Sequence, residues 1–94
     1  MMKERDIEAY LVARVKAAGG EVRKVQWIGR RGAPDRLVML PALTFWVELK
    51  APGVTAEAYQ LREHARMRAL RQLVCVIDSR DGVDALLLLP LLLE

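Results

Sequence analysis

The sequence predicts a mixed α/β sandwich with the element order α-β-β-β-α-β-α. Apolar residues recur at helical spacing near the start of the chain and again in its second half, and runs rich in β-branched and aromatic residues lie between them. Ninety-four residues, 53% hydrophobic and 29% charged, supply one core and no second domain, so residues 1–94 are read as a single domain without linker, repeat or low-complexity segment.

Ile7, Leu11, Val15 and Ala18 are spaced for one face of a helix running from residue 4 to about 18, which Gly19-Gly20 stops. Val22 to Ile28 reads as a strand, and Gly29 to Pro34 as a loop made basic by its arginines. A second strand is expected over Asp35 to Leu40, a turn at Pro41-Ala42-Leu43, and a third strand over Thr44 to Leu49, pairing with the second as a tight hairpin. Ala51-Pro52-Gly53 ends that strand. A second helix fits Ala56 to about Leu73, a short apolar strand Val74 to Ile77, and one or two final helical turns Val83 to Leu89.

Composition removes several kinds of chemistry. One cysteine, Cys75, and one histidine, His64, exclude an intrachain disulfide and a Cys/His structural metal site. Ser79, the only serine, lacks the glycine-flanked strand-turn-helix setting of a hydrolase nucleophile, and no Gly-rich phosphate loop is present. The first residues are charged where a signal peptide needs its apolar core, and the longest apolar run contains Pro90 and is far shorter than a membrane span. A cytoplasmic protein with no membrane partner and no small-molecule cofactor is expected.

The strongest pattern is Pro34-Asp35, twelve intervening residues, then Glu48-Leu49-Lys50. With the hairpin turning near Ala42 and Leu43, cross-strand partners sum to about 85, which sets Asp35 opposite Lys50 and diagonal to Glu48. Glu48 and Lys50 share a strand face while Leu49 points the other way, so three charged side chains converge. Two converging carboxylates repel unless a cation lies between them, and Mg²⁺, with its preference for oxygen ligands, suits that place.

On the first helix the apolar side chains span an arc of about 140°, and Glu8 falls inside it. A carboxylate there needs a partner: an arginine at the edge of the stripe, or, given the hairpin carboxylates, a shared metal.

Together these residues resemble the PD-(D/E)xK nuclease superfamily. The glutamate-bearing first helix, the Arg-Gly-rich loop ending Gly32-Ala33-Pro34-Asp35, Trp46 to Lys50, Ala51 to Thr55, and a helix containing Gln60 resemble the small stand-alone VRR-Nuc proteins of phages and bacteria. The similarity spans nearly the whole chain. It implies a restriction-endonuclease-like core, with a small mixed β-sheet flanked by helices. It further implies that Glu8, Asp35, Glu48 and the Leu49 main-chain carbonyl bind Mg²⁺ or Mn²⁺, that Lys50 handles the attacking water, and that Gln60 borders the site. Ala51 departs from the glycine many relatives carry after the lysine.

Arg23, Lys24, Arg30 and Arg31 occupy an acid-free stretch before Asp35, and Arg36 follows it, placing positive charge where a phosphate must enter. A solvated surface run reads the same way. Gln60, His64, Arg68 and Arg71 share an arc of about 80° on the second helix, a second phosphate-facing stripe in which His64 belongs to the polar face. Nothing marks a base-reading helix, so selection by DNA shape is expected. The leucines at 86 to 89 and 91 to 93 exceed what a small core needs; they either cover the sheet or form the interface of a homodimer, as in the junction-cleaving proteins the chain resembles. The expected activity is structure-selective DNA endonuclease action in a phage-infected or prophage-carrying bacterial host. Flap cleavage, general nicking and non-catalytic DNA binding are the alternatives.

Overall fold

A computed structural model describes residues 1–92. The elements are α1 (Glu4–Ala17), β1 (Glu21–Lys24), β2 (Arg36–Met39), β3 (Thr44–Leu49), α2 (Ala58–Ala69), β4 (Val74–Ile77) and α3 (Arg80–Leu92), in the expected order. The sheet order is β1-β2-β3-β4, with the first two pairings antiparallel and β3-β4 parallel. The α2 crossover makes that parallel pairing possible. No helix among the described residues is long and apolar enough to cross a membrane, and Leu93 of the leucine run lies outside them.

Strand alternation divides the sheet into two faces. Val38, Phe45, Val47 and Leu49 point to one side and are buried with Ile7, Leu11 and Val15 of α1 and Val83 and Leu86 of α3. This is the core, and the helical spacing of its α1 members is the one read from the sequence. Tyr10 and Asp84 tie α1 to α3 through a 2.6 Å hydrogen bond at its rim. Leu37, Trp46 and Glu48 face the other side, toward α2.

Several boundaries differ from expectation, each for a local reason. β1 ends at Lys24 rather than Ile28, and Val25 makes the last contact, its N–H donating to the Asp35 carbonyl at 2.9 Å. The chain then leaves the sheet through Gly29 (φ 77°) and Gly32 (φ 88°), conformations that side chains with a Cβ rarely adopt. α2 begins at Ala58 because Glu57 caps it: the Gln60 side-chain oxygen accepts from the Glu57 N–H at 2.8 Å. It ends at Ala69, two residues before Arg71 adopts φ 64°. α3 starts three residues before Val83 because Ser79 Oγ accepts the Gly82 N–H at 3.0 Å, and it continues through Pro90.

The hairpin register also differs. Arg36 pairs with Val47 and Met39 with Thr44, and the Leu40 N–H donates to the Leu43 carbonyl at 2.8 Å, leaving Pro41-Ala42 as the loop. Continuing the ladder by one residue sets Asp35 opposite Glu48, not Lys50. The slip is two positions on one strand, so every side chain keeps the face assigned to it.

Candidate active site

Asp35, immediately before β2, and Glu48, in β3, meet across the hairpin on the α2 face, and Lys50 follows just beyond the strand end with its N–H held by the Ile77 carbonyl at 2.9 Å. Glu48 is only 6% exposed. Burial pushes its carboxyl up to about 7, and the neighbouring Asp35 charge pushes the same way against the opposing pull of Lys50. Asp35 Oδ2 pairs with the Arg36 guanidinium at 2.9 Å, while its Oδ1 is buried with no hydrogen-bond partner. A buried carboxylate oxygen without a partner, beside a carboxyl that resists ionising, is an arrangement a bound cation would relieve.

Glu8 sits on the core-facing stripe of α1, as its spacing predicts, and its charge is met by cations of this chain. Arg36 donates to Glu8 Oε2 through Nε at 2.7 Å and also through Nη2, and Lys24 Nζ lies 3.9 Å from Oε1. Arg36 therefore bridges the first helix to Asp35, and its pKa is raised because both carboxylates favour the charged form over the cost of burial. It is 9% exposed, so the position read as part of the DNA-facing surface is an internal strut. The first-helix acid whose charge is felt at Glu48 is Glu4, one turn before Glu8. Among the described residues, no group of three or more His, Cys, Asp or Glu side chains is drawn tightly enough together to hold an ion.

His64 is corrected most. The arc on α2 places it with the polar face, yet it is 0% exposed and its Nε2 lies 3.6 Å from Glu48 Oε1. Burial, with the Arg68 guanidinium acting in the same sense, holds its pKa below the ordinary value, so the imidazole is neutral near pH 7. The signal was faint: Leu61 and Leu70 are exposed while Glu63 and His64 are buried, the reverse of what hydropathy suggests.

The remaining cations divide. Arg30 and Arg31 are exposed on the loop before Asp35, with the Arg31 guanidinium 4.2 Å from the Tyr59 ring centre. Arg23 pairs with Glu21 on the surface. Arg68 is tied to β4, donating to the Val74 carbonyl at 2.8 and 3.2 Å, so its guanidinium braces the sheet. Gln60 lies at the start of α2, its oxygen engaged by the cap.

Comparison with known proteins bears on this constellation. No family model matches the chain. The phage protein named "Putative nuclease p44", from Acyrthosiphon pisum secondary endosymbiont phage 1, is 50% identical over 82 residues, covering 86% of this chain and 88% of the relative. A solved structure described as a VRR_NUC domain superposes with a TM-score of 0.82 at 40% identity, covering 93% of this chain and 96% of that one. This chain belongs to the VRR-Nuc family. The mixed four-stranded sheet with flanking helices is that family's fold.

Proposed function

We propose that this VRR-Nuc protein is a divalent-metal-dependent DNA endonuclease acting on branched DNA. The observation that carries the reading is the meeting of Asp35 and the buried Glu48 across one hairpin, with Lys50 beside them and an unpartnered Asp35 oxygen. A non-catalytic binder has no use for buried carboxylates that repel phosphate.

Asp35, Glu48 and the Leu49 main-chain carbonyl are the groups that would hold Mg²⁺ or Mn²⁺, and the Glu48 carboxyl fits this role because a cation favours the ionised form that burial disfavours. Such an ion supplies polarisation of the scissile phosphate and a lowered pKa for water. Lys50 places an ammonium beside Glu48, where it can orient the attacking water and offset negative charge developing on the phosphate. Arg36 fixes the Asp35 carboxylate from behind, and Glu8, Arg36's other partner, completes that support. Arg30 and Arg31, exposed before Asp35, present charge to the DNA backbone, while Arg23 pairs with Glu21 and Lys24 reaches toward Glu8.

A homodimer is part of the proposal. Leu88, Leu91 and Leu92 are exposed on α3, next to a cavity of about 300 Å³ lined by Leu40, Pro41, Leu87 and Pro90. Pairing two copies there would cover this apolar surface and give two active sites related by a twofold axis, the symmetry of a four-way junction. The test is cleavage of labelled four-way junction, flap, single-stranded and linear duplex DNA with Mg²⁺, Mn²⁺ or EDTA. Metal-dependent cutting of junctions is expected, cutting confined to flaps favours the second reading, and no cutting with either metal overturns the assignment. A monomeric mass by light scattering at micromolar concentration removes the dimer.

A further inference from the structure

A second cavity on the α2 face remains unused by this chemistry. It has a volume of about 220 Å³, and its walls include Trp27, Trp46, Arg30, Arg66, Met67 and Leu70. The two indoles sit 5.1 Å apart between ring centres and are tilted by 49°. Each has its polar edge fixed: Trp27 Nε1 donates to the Pro34 carbonyl at 2.8 Å, and Trp46 Nε1 to the Gln72 side-chain oxygen at 3.0 Å. With both N–H groups engaged inside the chain, the tryptophans offer the cavity rigid apolar surface at little entropic cost. Arg66 pairs with Glu63, the acid in the wall, at 3.1 Å, and Arg30 is exposed at the rim.

Position links this cavity to the scissile centre. Trp46 and Glu48 lie two residues apart on one face of β3, a separation of about 7 Å. The Trp27 hydrogen bond ends on Pro34, the neighbour of Asp35. A DNA strand whose phosphate reaches Asp35 and Glu48 therefore brings the adjoining nucleotide to the indoles, while Arg30 meets its backbone. In an intact duplex that base is stacked and paired, and it can enter a cavity only where the helix is open.

We propose that the cavity walled by Trp27 and Trp46 binds an unpaired nucleobase next to the scissile phosphate, so that the enzyme recognises branch points by the base they leave unstacked. The inference rests on the nuclease reading above and specifies its substrate. Stacking on aromatic rings is tolerant of base identity and intolerant of base absence.

The two cavity residues are the only tryptophans in the chain, so fluorescence reports on the cavity directly. The wild-type protein in EDTA is titrated with a short single-stranded oligothymidylate, a blunt duplex, and flap substrates carrying one abasic nucleotide at successive positions from the branch point. The single strand and the intact flap should quench tryptophan emission and the duplex should not. An abasic nucleotide at one position beside the branch point should weaken binding about tenfold, with little effect elsewhere. Binding without quenching, equal quenching by the duplex, or indifference to every abasic position overturns the proposal. Cleavage in Mg²⁺ is measured separately on the same substrates: cutting without quenching overturns the cavity proposal and leaves the nuclease reading standing, and quenching without cutting overturns the nuclease reading and, with it, the cavity's place beside a scissile phosphate.

Discussion

The two faces of the sheet are built on opposite principles. Toward α1 and α3, Phe45, Val47 and Leu49 alternate into a dry core, where burial stabilises the fold in proportion to apolar area. Toward α2, the interleaved residues of the same strand are Trp46 and Glu48, and the helix sets His64 against Glu48. One strand therefore supplies stability on one side and a polar, electrostatically unfavourable site on the other. Arg36 is the exception that joins them: it shares a face with Val47 and the core, yet it holds both Glu8 and Asp35. The lesson is that the site's unfavourable electrostatics are tolerated because the opposite face is well packed.

Phe45→Ala breaks the comparison most directly. Phe45 is fully buried, and its truncation should cost about 3–5 kcal/mol in denaturant unfolding. Lys50→Ala and Asp35→Ala act on the other face: each should lower metal-dependent cleavage by about 10²–10³-fold or more with the circular dichroism spectrum unchanged. Full activity in either would contradict the division of labour.

Glu48→Gln tests the electrostatic cost in the metal-free protein. The folded chain holds the Glu48 proton up to about 7, against an ordinary value of 4.5. Folding therefore takes up a proton in that interval, and stability falls as pH rises through it, then stays level. The loss should be about 3 kcal/mol between those limits and absent from the variant. His64, held below its ordinary 6.5, acts in the opposite sense as pH falls. The smallest expected effect comes from cutting the link between faces: Arg36→Gln leaves Glu8 and Asp35 less well paired and should cost about 1–3 kcal/mol in the same unfolding assay.

How far the sequence could be read depended on the kind of regularity involved. Strand alternation is rigid, so Asp35, Glu48 and Lys50 could be assigned to one face even though the hairpin register differed by two from the expected one. Helical periodicity placed Glu8 toward the interior equally well. It could not name Glu8's partner, because a helical arc says which way a side chain points and nothing about what stands opposite. His64 shows the same limit more sharply: Glu63 and Ala65 beside it on α2, and Gln60 and Arg68 one turn away, do not mark it as interior, and only docking of the helix on the sheet buries it.

The sequence by itself determined the element order, the core stripe of α1 and the acidic hairpin, since each follows from periods of 3.6 or 2 within a short stretch of chain. Tertiary structure decided which cations meet which acids. Arg36, Glu8 and Asp35 come from two elements, Glu48 and His64 from two others, and Trp27 meets Trp46 from a loop and a strand. Such contacts depend on how the helices cross the sheet, and packing fixes that geometry only once the whole core has closed.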